Sequence, residues 1–527
     1  MIKQTGKKRS KLKWIASVLM LASAFAAGCE RVNPGSGDNP NPAASHEKID
    51  SSAPSAAQGT ALSAPKTGAA AAKPNVIVIM ADDLGYGDTS LYGNSGINTP
   101  NIKSIADNGI LFMQAYAAAP VCNPSRMSLF SSMPPGYLGG DNNYAGRTSV
   151  DRIPAYTLPN AMKEKGYISK YVGKWDLGTE EKYMPVARGF DDFFGIPGGV
   201  SNYYPKQQNE ATRDAWHLEG KRAVKGGAVV SQWPIIVRKY NPASGNYMPA
   251  NEQQFLTDAF TREALSFIDA KSGKPDPFFL YLSYNAPHLP LQAPDDHYQK
   301  YAQISDPKQR IYAAMVDALD EGVGKVLNKL DEKGIRDNTM VLFVSDNGPE
   351  AGSSGGLRGR KYHVFEGGVR VPFAMEWPAK FAKNKKVDDP ISLMDVLPTL
   401  AAAAGHDVPK LISDHKFEGV DLTPYLTDAG HAGKPHQDFY WRYYGDHNPF
   451  LEMAISSNNL KYVRAYDEQN RATEYLFDLA ADSKETNNLF SDAKYKSAVD
   501  TIKSKLDLWN ESHPINPNVG KGESDDG

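Results

Sequence analysis

The chain has 527 residues with 58 basic and 61 acidic side chains, a net charge of −3, and two cysteines, Cys29 and Cys122. That balance supplies no polycationic field, which excludes nucleic acid as the expected partner. No internal repeat is visible, and the roughly 450 residues beyond the N-terminal segments exceed what one core usually supports, so two domains are expected.

Lys3, Lys7, Lys8, Arg9, Lys11 and Lys13 precede an uncharged, mostly apolar run over 14–27 that closes on small residues. This is the anatomy of a secretory leader. The run is shorter than the roughly 20 apolar residues that span a bilayer, so a retained transmembrane helix is the weaker reading. Ala26, Ala27, Gly28 and Cys29 resemble a bacterial lipoprotein processing box, in which the cysteine becomes the acylated first residue. Such boxes usually carry leucine where Ala26 stands, and ordinary cleavage leaving Cys29 as a thiol is the alternative. Residues 1–28 are therefore expected to be a signal peptide. The protein is expected to be an exported bacterial lipoprotein, in the periplasm or at the outer membrane or cell surface, with the membrane reached through Cys29. Up to residue 73 the chain is rich in Pro, Gly, Ser, Ala and Asn. It cannot bury enough apolar surface to offset its ordering entropy, so 29–73 is expected to be a flexible linker.

The body opens with a continuous run of Val, Ile and Met over 75–80, the pattern of a strand buried on both faces of a parallel sheet. Asp82 and Asp83 follow at its carboxyl end, where open α/β sheets place their sites; an acidic turn capping the next helix is the alternative. A second apolar run, 340–344, ends in Ser345, Asp346, Asn347 and Gly348. Asp82, Asp83, Asp346 and Asn347 offer only hard oxygen ligands, which suit Ca²⁺, with Mg²⁺ second, and not zinc. Helices are expected over 154–165, 257–270, 311–333 and 393–404. The alternation of strands and helices predicts an α/β fold, a large doubly wound mixed sheet flanked by helices. Strands over 439–441, 453–456 and 461–465 and a helix over 493–509 predict a smaller C-terminal antiparallel sheet packed by a helix. The expected division is a catalytic domain at 74–410 and a C-terminal α+β subdomain at 411–527.

Between the two strands lie Pro120, Val121, Cys122, Asn123, Pro124, Ser125 and Arg126. This run resembles the signature of type I sulfatases of the alkaline phosphatase superfamily, in which the cysteine is oxidised after translation to formylglycine. Proline two residues on and arginine four on are the defining positions. The family usually continues to Thr-Gly where this chain has Ser131 and Ser132. The resemblance runs from 74 to about 490. Residues 75–88 look like the family's opening metal strand. Gly173, Lys174, Trp175, Asp176, Leu177 and Gly178 are similar to its second signature, and 188–195 to its Gly-Phe-Asp segment. Residues 278–294 match the strand and loop that carry a histidine, here His288. Lys361 lies five residues before Glu366, Gly367 and Gly368, as the family's active-site lysine does.

The resemblance implies a sulfuric ester hydrolase that depends on Ca²⁺, on formylglycine derived from Cys122 and on a formylglycine-generating maturation enzyme. It implies that Asp82, Asp83, Asp346, Asn347 and the modified Cys122 hold the metal. A hydrated aldehyde at position 122 would attack the sulfur, and Arg126, Lys174 and Lys361 would stabilise the nonbridging oxygens. His288, assisted by Lys361, would protonate the leaving oxygen; read alone, it would be a satisfied loop histidine. Asp176 departs from the family, which generally has histidine there. It is the base itself, or it orients a neighbouring base, or it marks an altered substrate geometry. The expected substrate is a sulfated saccharide or another sulfate ester. Tyr203, Tyr204 and Trp216, and a second group of Tyr440, Trp441, Arg442, Tyr443, Tyr444 and His447, suit a sulfated sugar, although 439–444 also reads as a packed strand. The alternatives are a phosphate or phosphonate ester hydrolase of the same superfamily and a non-catalytic lipoprotein that binds sulfated glycan.

Overall fold

The computed structural model describes residues 73–93, 96–143, 153–204, 236–427, 433–445 and 451–514, and the backbone of three short strands within 216–230. Cys29, the leader and the linker lie outside the described residues, as does His447.

The apolar run after the linker forms β1 (Asn75–Ala81), the centre of a ten-stranded sheet. The other strands in chain order are β2 (Ile110–Phe112), β3 (Ile168–Lys174), β4 (Asp192–Ile196), β5 (Arg238–Asn241), β6 (Asn246–Pro249), β7 (Phe278–Ser283), β8 (Thr339–Ser345), β9 (Phe373–Glu376) and β10 (Lys385–Val387). Their spatial order is β6-β5-β4-β3-β7-β1-β8-β9-β2-β10. The central five, β4-β3-β7-β1-β8, run parallel, and antiparallel pairings flank them on both sides, so the sheet is mixed. Alternate residues of β1 enter opposite cores, Val76, Val78 and Met80 on one face and Ile77, Ile79 and Ala81 on the other. The strand carries no polar face because helices cover both sides. On one side lie α2 (Cys122–Ser131) and α5 (Val396–Ala403); on the other lie α1 (Pro100–Asp107), α3 (Leu256–Lys271) and α4 (Pro307–Glu332).

Helix boundaries differ from expectation where capping decides them. The helix expected from 154 begins only at Leu158, because Thr157 and Asn160 close a capping box and Pro159 stands in the first turn. The helix expected from 311 begins at Pro307, where the Asp306 carboxylate accepts from the Lys308 and Gln309 amides at 2.8 and 3.3 Å.

The C-terminal sheet has four strands, β11 (Asp438–Tyr444), β12 (Leu451–Ser457), β13 (Leu460–Tyr466) and β14 (Ala472–Asp478), paired antiparallel in sequence order. The last was not anticipated. One face of this sheet packs Met453, Ile455 and Leu476 on α6 (Lys496–Ser512), and the other packs Trp441, Val463 and Phe477 on Tyr116, Val121 and Phe365 of the large unit. The indole N–H of Trp441 donates to the Ala117 carbonyl at 2.8 Å.

A buried ion cluster joins the two sheets. Lys461 of β13 lies 2.9 Å from Glu366 and 3.2 Å from Glu485, all three buried. Glu485 accepts from the Glu366 backbone N–H at 2.8 Å, and Tyr116 donates to Glu366 at 2.9 Å. Glu366 ends the loop that begins at Lys361, so the small sheet braces that loop. Burial, opposed by Lys461 and reinforced by Glu366, pushes the Glu485 carboxyl up to about 7. Lys461→Met removes the buried cation that Glu366 and Glu485 share and is expected to lower stability by about 3–5 kcal/mol in urea titration; a loss below about 1 kcal/mol would show the cluster to be dispensable. Because folded Glu485 holds its proton more tightly than the unfolded chain does, its contribution to stability falls as pH rises from about 4.5 to about 7.

Candidate active site

The register sets the site. Met80 pairs with Ser283 and Ala81 with Ser345, and Ser283 also pairs with Gly173, so β1, β7, β8 and β3 end at one level of the sheet. The residues just past those ends converge, as the carboxyl edge of a parallel sheet favours. Gly173 makes the convergence possible: its φ is +112°, and a Cβ there would lie 1.8 Å from the Ser283 carbonyl. Only glycine fits at this position beside Ser283, and Lys174 enters the site one residue on.

Asp82, Asp83, Asp346 and Asn347 are all buried. The Asp83 amide donates to Asp346 Oδ1 at 3.1 Å, and Asn347 Nδ2 donates to Asp83 Oδ1 at 2.7 Å. Asn347 Oδ1 is left buried with no hydrogen-bond partner, an orphan that costs free energy unless something electropositive meets it. Ligand atoms of Asp82, Asp83, Cys122 and His288 lie within 4.8 Å of one another. Among the described residues, Asp82, Asp83, Asp346, Asp176 and Glu350 face only Arg126, Lys174 and Lys361 as permanent cations. Two negative charges remain, and hard oxygens with an orphaned carbonyl fit a divalent cation there.

Cys122 is the first residue of α2, a helix buried along its whole length. Its Sγ lies 3.6 Å from Asp82 Oδ1 and 3.9 Å from Asp83 Oδ1. Burial pushes the thiol pKa well up, with Lys174 and Lys361 only partly opposing it. A sulfur held as the neutral thiol is a poor nucleophile in its own right.

Lys174 Nζ lies 2.6 Å from Asp82 Oδ2 and 3.8 Å from Asp176 Oδ2; Lys361 Nζ lies 2.7 Å from Asp83 Oδ2 and 3.1 Å from Glu350 Oε2. Burial alone would push both ammonium groups down, but Asp82 and Asp83 hold them above their ordinary values, so both stay charged. The same pairing holds Asp82 and Asp83 below the usual carboxylate range despite burial. His288 Nδ1 lies 2.6 Å from the Leu289 carbonyl, which can only accept, so Nδ1 carries a proton and Nε2, 3.6 Å from Asp83, faces the cluster. The hydroxyl of buried Tyr203 donates to the carbonyls of Asn285 and His288, at 2.5 and 2.8 Å, and fixes the loop.

Arg126 stands behind the carboxylates. Nε donates to Asp346 at 2.9 Å, Nη1 to the Lys174 carbonyl and Ser283 Oγ, and Nη2 lies 2.8 Å from Asp346 and 3.5 Å from Asp82. Without exposure, with Nε and Nη1 hydrogen-bonded and Nη2 paired by charge alone, it positions metal-ligand candidates. Arg126, expected to contact sulfate oxygens, is wholly buried beside Asp82 and Asp346. Asp176 adopts left-handed backbone, φ 58°, and its carbonyl accepts from Asn123 Nδ2. Burial raises its carboxyl pKa, offset in part by Lys174 and Arg126. Asp83 and Tyr362 are also left-handed, which gathers three non-glycine outliers at one site.

The aromatic groups expected to meet sugar mostly pack. Tyr203, Tyr204, Trp441 and Tyr443 are buried, and Arg442 is paired with buried Asp141 at 2.7 Å. The side chain of Trp216 lies outside the described residues. Sequence reasoning missed Ser283, which ends a buried strand, and Glu350, three residues past Asn347 at the end of β8.

Residues 74–406 match the family described as Sulfatase, and 359–512 match the C-terminal region of N-sulphoglucosamine sulphohydrolase. The chain belongs to the sulfatase family, the sulfuric ester hydrolases. It is 30% identical to human N-acetylgalactosamine-6-sulfatase over 476 residues, 83% of this chain and 86% of that protein. It is 30% identical to mouse steryl-sulfatase over 461 residues, 76% of this chain and 71% of that protein. Among solved structures it is similar to Ps i-CgsB in complex with k-i-k-neocarrahexaose, at a TM-score of 0.72 and 30% identity, covering 84% of this chain and 94% of that one.

Proposed function

We propose that the protein removes a sulfate ester from a saccharide, with Cys122 matured to formylglycine and Ca²⁺ held by Asp82, Asp83, Asp346 and Asn347. The observation that carries this reading is the setting of Cys122, a buried neutral thiol among carboxylates and two fixed lysines. It is a poor place for a thiolate and a good one for a precursor. The matured residue supplies the nucleophilic oxygen toward sulfur, and the cation supplies Lewis acidity toward the ester's oxygens. Ca²⁺ is preferred to Mg²⁺ because it tolerates several carboxylates in flexible geometry.

The remaining work falls to this chain's own side chains. Lys174 and Lys361, charged and fixed by Asp82 and Asp83, stabilise the anionic group without reorganising. His288 presents Nε2 toward the departing sugar oxygen as the route for its proton, its ring set by the bond from Nδ1. Asp176, with its proton affinity raised by burial, accepts the proton on the other side, where the family has histidine. A saccharide substrate is supported by the N-acetylgalactosamine-6-sulfatases and by the complex of Ps i-CgsB with k-i-k-neocarrahexaose.

The same proposal makes residues 1–28 a signal peptide, Cys29 an acylated anchor at the periplasmic or outer-membrane surface, and 29–73 a tether to a catalytic domain at 74–410 and a subdomain at 411–527. Among the described residues no helix is long and apolar enough to cross a membrane.

Protein co-produced with a maturation enzyme is expected to hydrolyse sulfate esters well ahead of phosphate esters, and to lose activity on calcium chelation with recovery on adding Ca²⁺ back. Faster turnover of phosphate esters would favour a phosphohydrolase. In the same assay Asp176→Asn should lower kcat by about 100-fold or more while Asp176→His retains turnover; full activity in Asp176→Asn would remove Asp176 as the base. Cys29→Ser is expected to move the protein from the membrane to the soluble fraction, and unchanged membrane association would contradict acylation at Cys29.

A further inference from the structure

Lys174 and Lys361 are held in the same way. Each ammonium joins an inner carboxylate of the cluster, Asp82 or Asp83, to an outer one, Asp176 or Glu350. Asp176 stands at a position where the family has a catalytic residue, but Glu350 has no counterpart in the chemistry described above. Along its chain of contacts exposure rises outward: side-chain exposure is 2% at Asp83, 2% at Lys361 and 30% at Glu350. Glu350 therefore lies on the solvent side of the catalytic lysine.

Its placement is fixed by backbone. The Glu350 carbonyl accepts from Arg360 at 3.2 Å, the Pro349 carbonyl from the Lys361 amide at 3.1 Å, and the Gly348 amide donates to Gly368 at 2.9 Å. Tyr362, with its left-handed backbone, brings its hydroxyl 3.5 Å from Glu350 Oε2 and its ring centroid 5.3 Å from the Lys361 ammonium. Lys361 and Tyr362 both address Oε2, and no described residue donates to Oε1. Half of the carboxylate thus keeps its acceptor capacity, one lysine away from the reacting centre.

On the basis of the sulfatase reading, we infer that Glu350 is a specificity-determining residue. It accepts a hydrogen bond from a sugar hydroxyl on the carbon next to the one that bears the scissile sulfate, and it repels a second sulfate at that carbon. A hydroxyl meets a charged acceptor there in a partly desolvated setting. A second sulfate would place like charges a few ångströms apart beside a buried cluster. The substrate class is a hexose sulfate with a free hydroxyl beside the ester, and a vicinal disulfate is excluded until one sulfate has been removed by another enzyme.

The test compares wild type, Glu350→Gln and Glu350→Ala on p-nitrophenyl sulfate, on the 2-, 3- and 4-sulfates of galactose and glucose, on the 3- and 4-sulfates of their N-acetylamino forms, and on the vicinal disulfate of the ring-carbon sulfate turned over fastest. The 6-sulfates, whose neighbouring C5 carries no hydroxyl, are assayed beside them, and a wild-type preference for a 6-sulfate would overturn the inference. Loss of one charged hydrogen bond predicts that the ratio of kcat/KM for the hexose sulfate to that for the aryl sulfate falls about 10- to 100-fold in Glu350→Ala. In Glu350→Gln, which keeps the shape and an acceptor but loses the charge, the ratio for disulfate over monosulfate rises about tenfold or more. Equal losses on saccharide and aryl substrates would overturn the inference, since a residue that only steadies Lys361 affects both alike. An unmoved disulfate ratio would overturn it as well. Wild-type protein inactive on every sulfate ester defeats the sulfatase reading itself, and activity on aryl sulfate alone defeats the saccharide reading.

Discussion

Three carboxylates without solvent share a few ångströms at the edge of a parallel sheet, and that burden shapes everything around them. Asp82, Asp83 and Asp346 stay ionisable inside the protein only because Arg126, Lys174 and Lys361 are buried with them. Removing charge from water costs several kcal/mol per ion, and such a cluster survives when geometry and hydrogen bonds are nearly complete. Here Asp82 Oδ2, Lys174 Nζ and Arg126 Nη2 meet by charge alone, and Asn347 Oδ1 has no hydrogen-bond partner. The gap and the two unbalanced negative charges make the same demand, which is a divalent cation.

The fold meets this constraint by register. Five parallel strands deliver their following residues to one level, and α2 begins at Cys122 against them. The C-terminal sheet has a related part in the arrangement. Through Lys461, Glu366 and Glu485 it steadies the loop that carries Lys361, with Lys461 reaching Glu366 across 95 residues of sequence. Its aromatic strand, β11, spends Trp441 and Tyr443 on that packing and has little left for a ligand.

Much of this was legible from sequence because it is local. A strand buried on both faces writes itself as a continuous apolar run, and oxygen donors placed just past two such runs point to one edge. The site residues chosen from motifs do come together. What was not legible depended on contacts between distant segments. Arg126 reads as a free cation in sequence, and only the fold shows Asp346, Asp82, Ser283 and the Lys174 carbonyl using its nitrogens. Tyr203 reads as a sugar platform and is a buried brace for the His288 loop. Glu350 carries no local signal beyond its distance from Asn347. β14, with Thr473 and Glu474 ahead of its apolar pair, lacks the alternation that would have shown it.

Catalysis stands on the fate of one side chain. Mass spectrometry of the peptide that contains Cys122, from cells with and without a formylglycine-generating enzyme, is the most direct measurement. An aldehyde in place of the thiol, found with the enzyme and rising in step with sulfatase activity, is the predicted result. Active protein in which every Cys122 remains a thiol would contradict it.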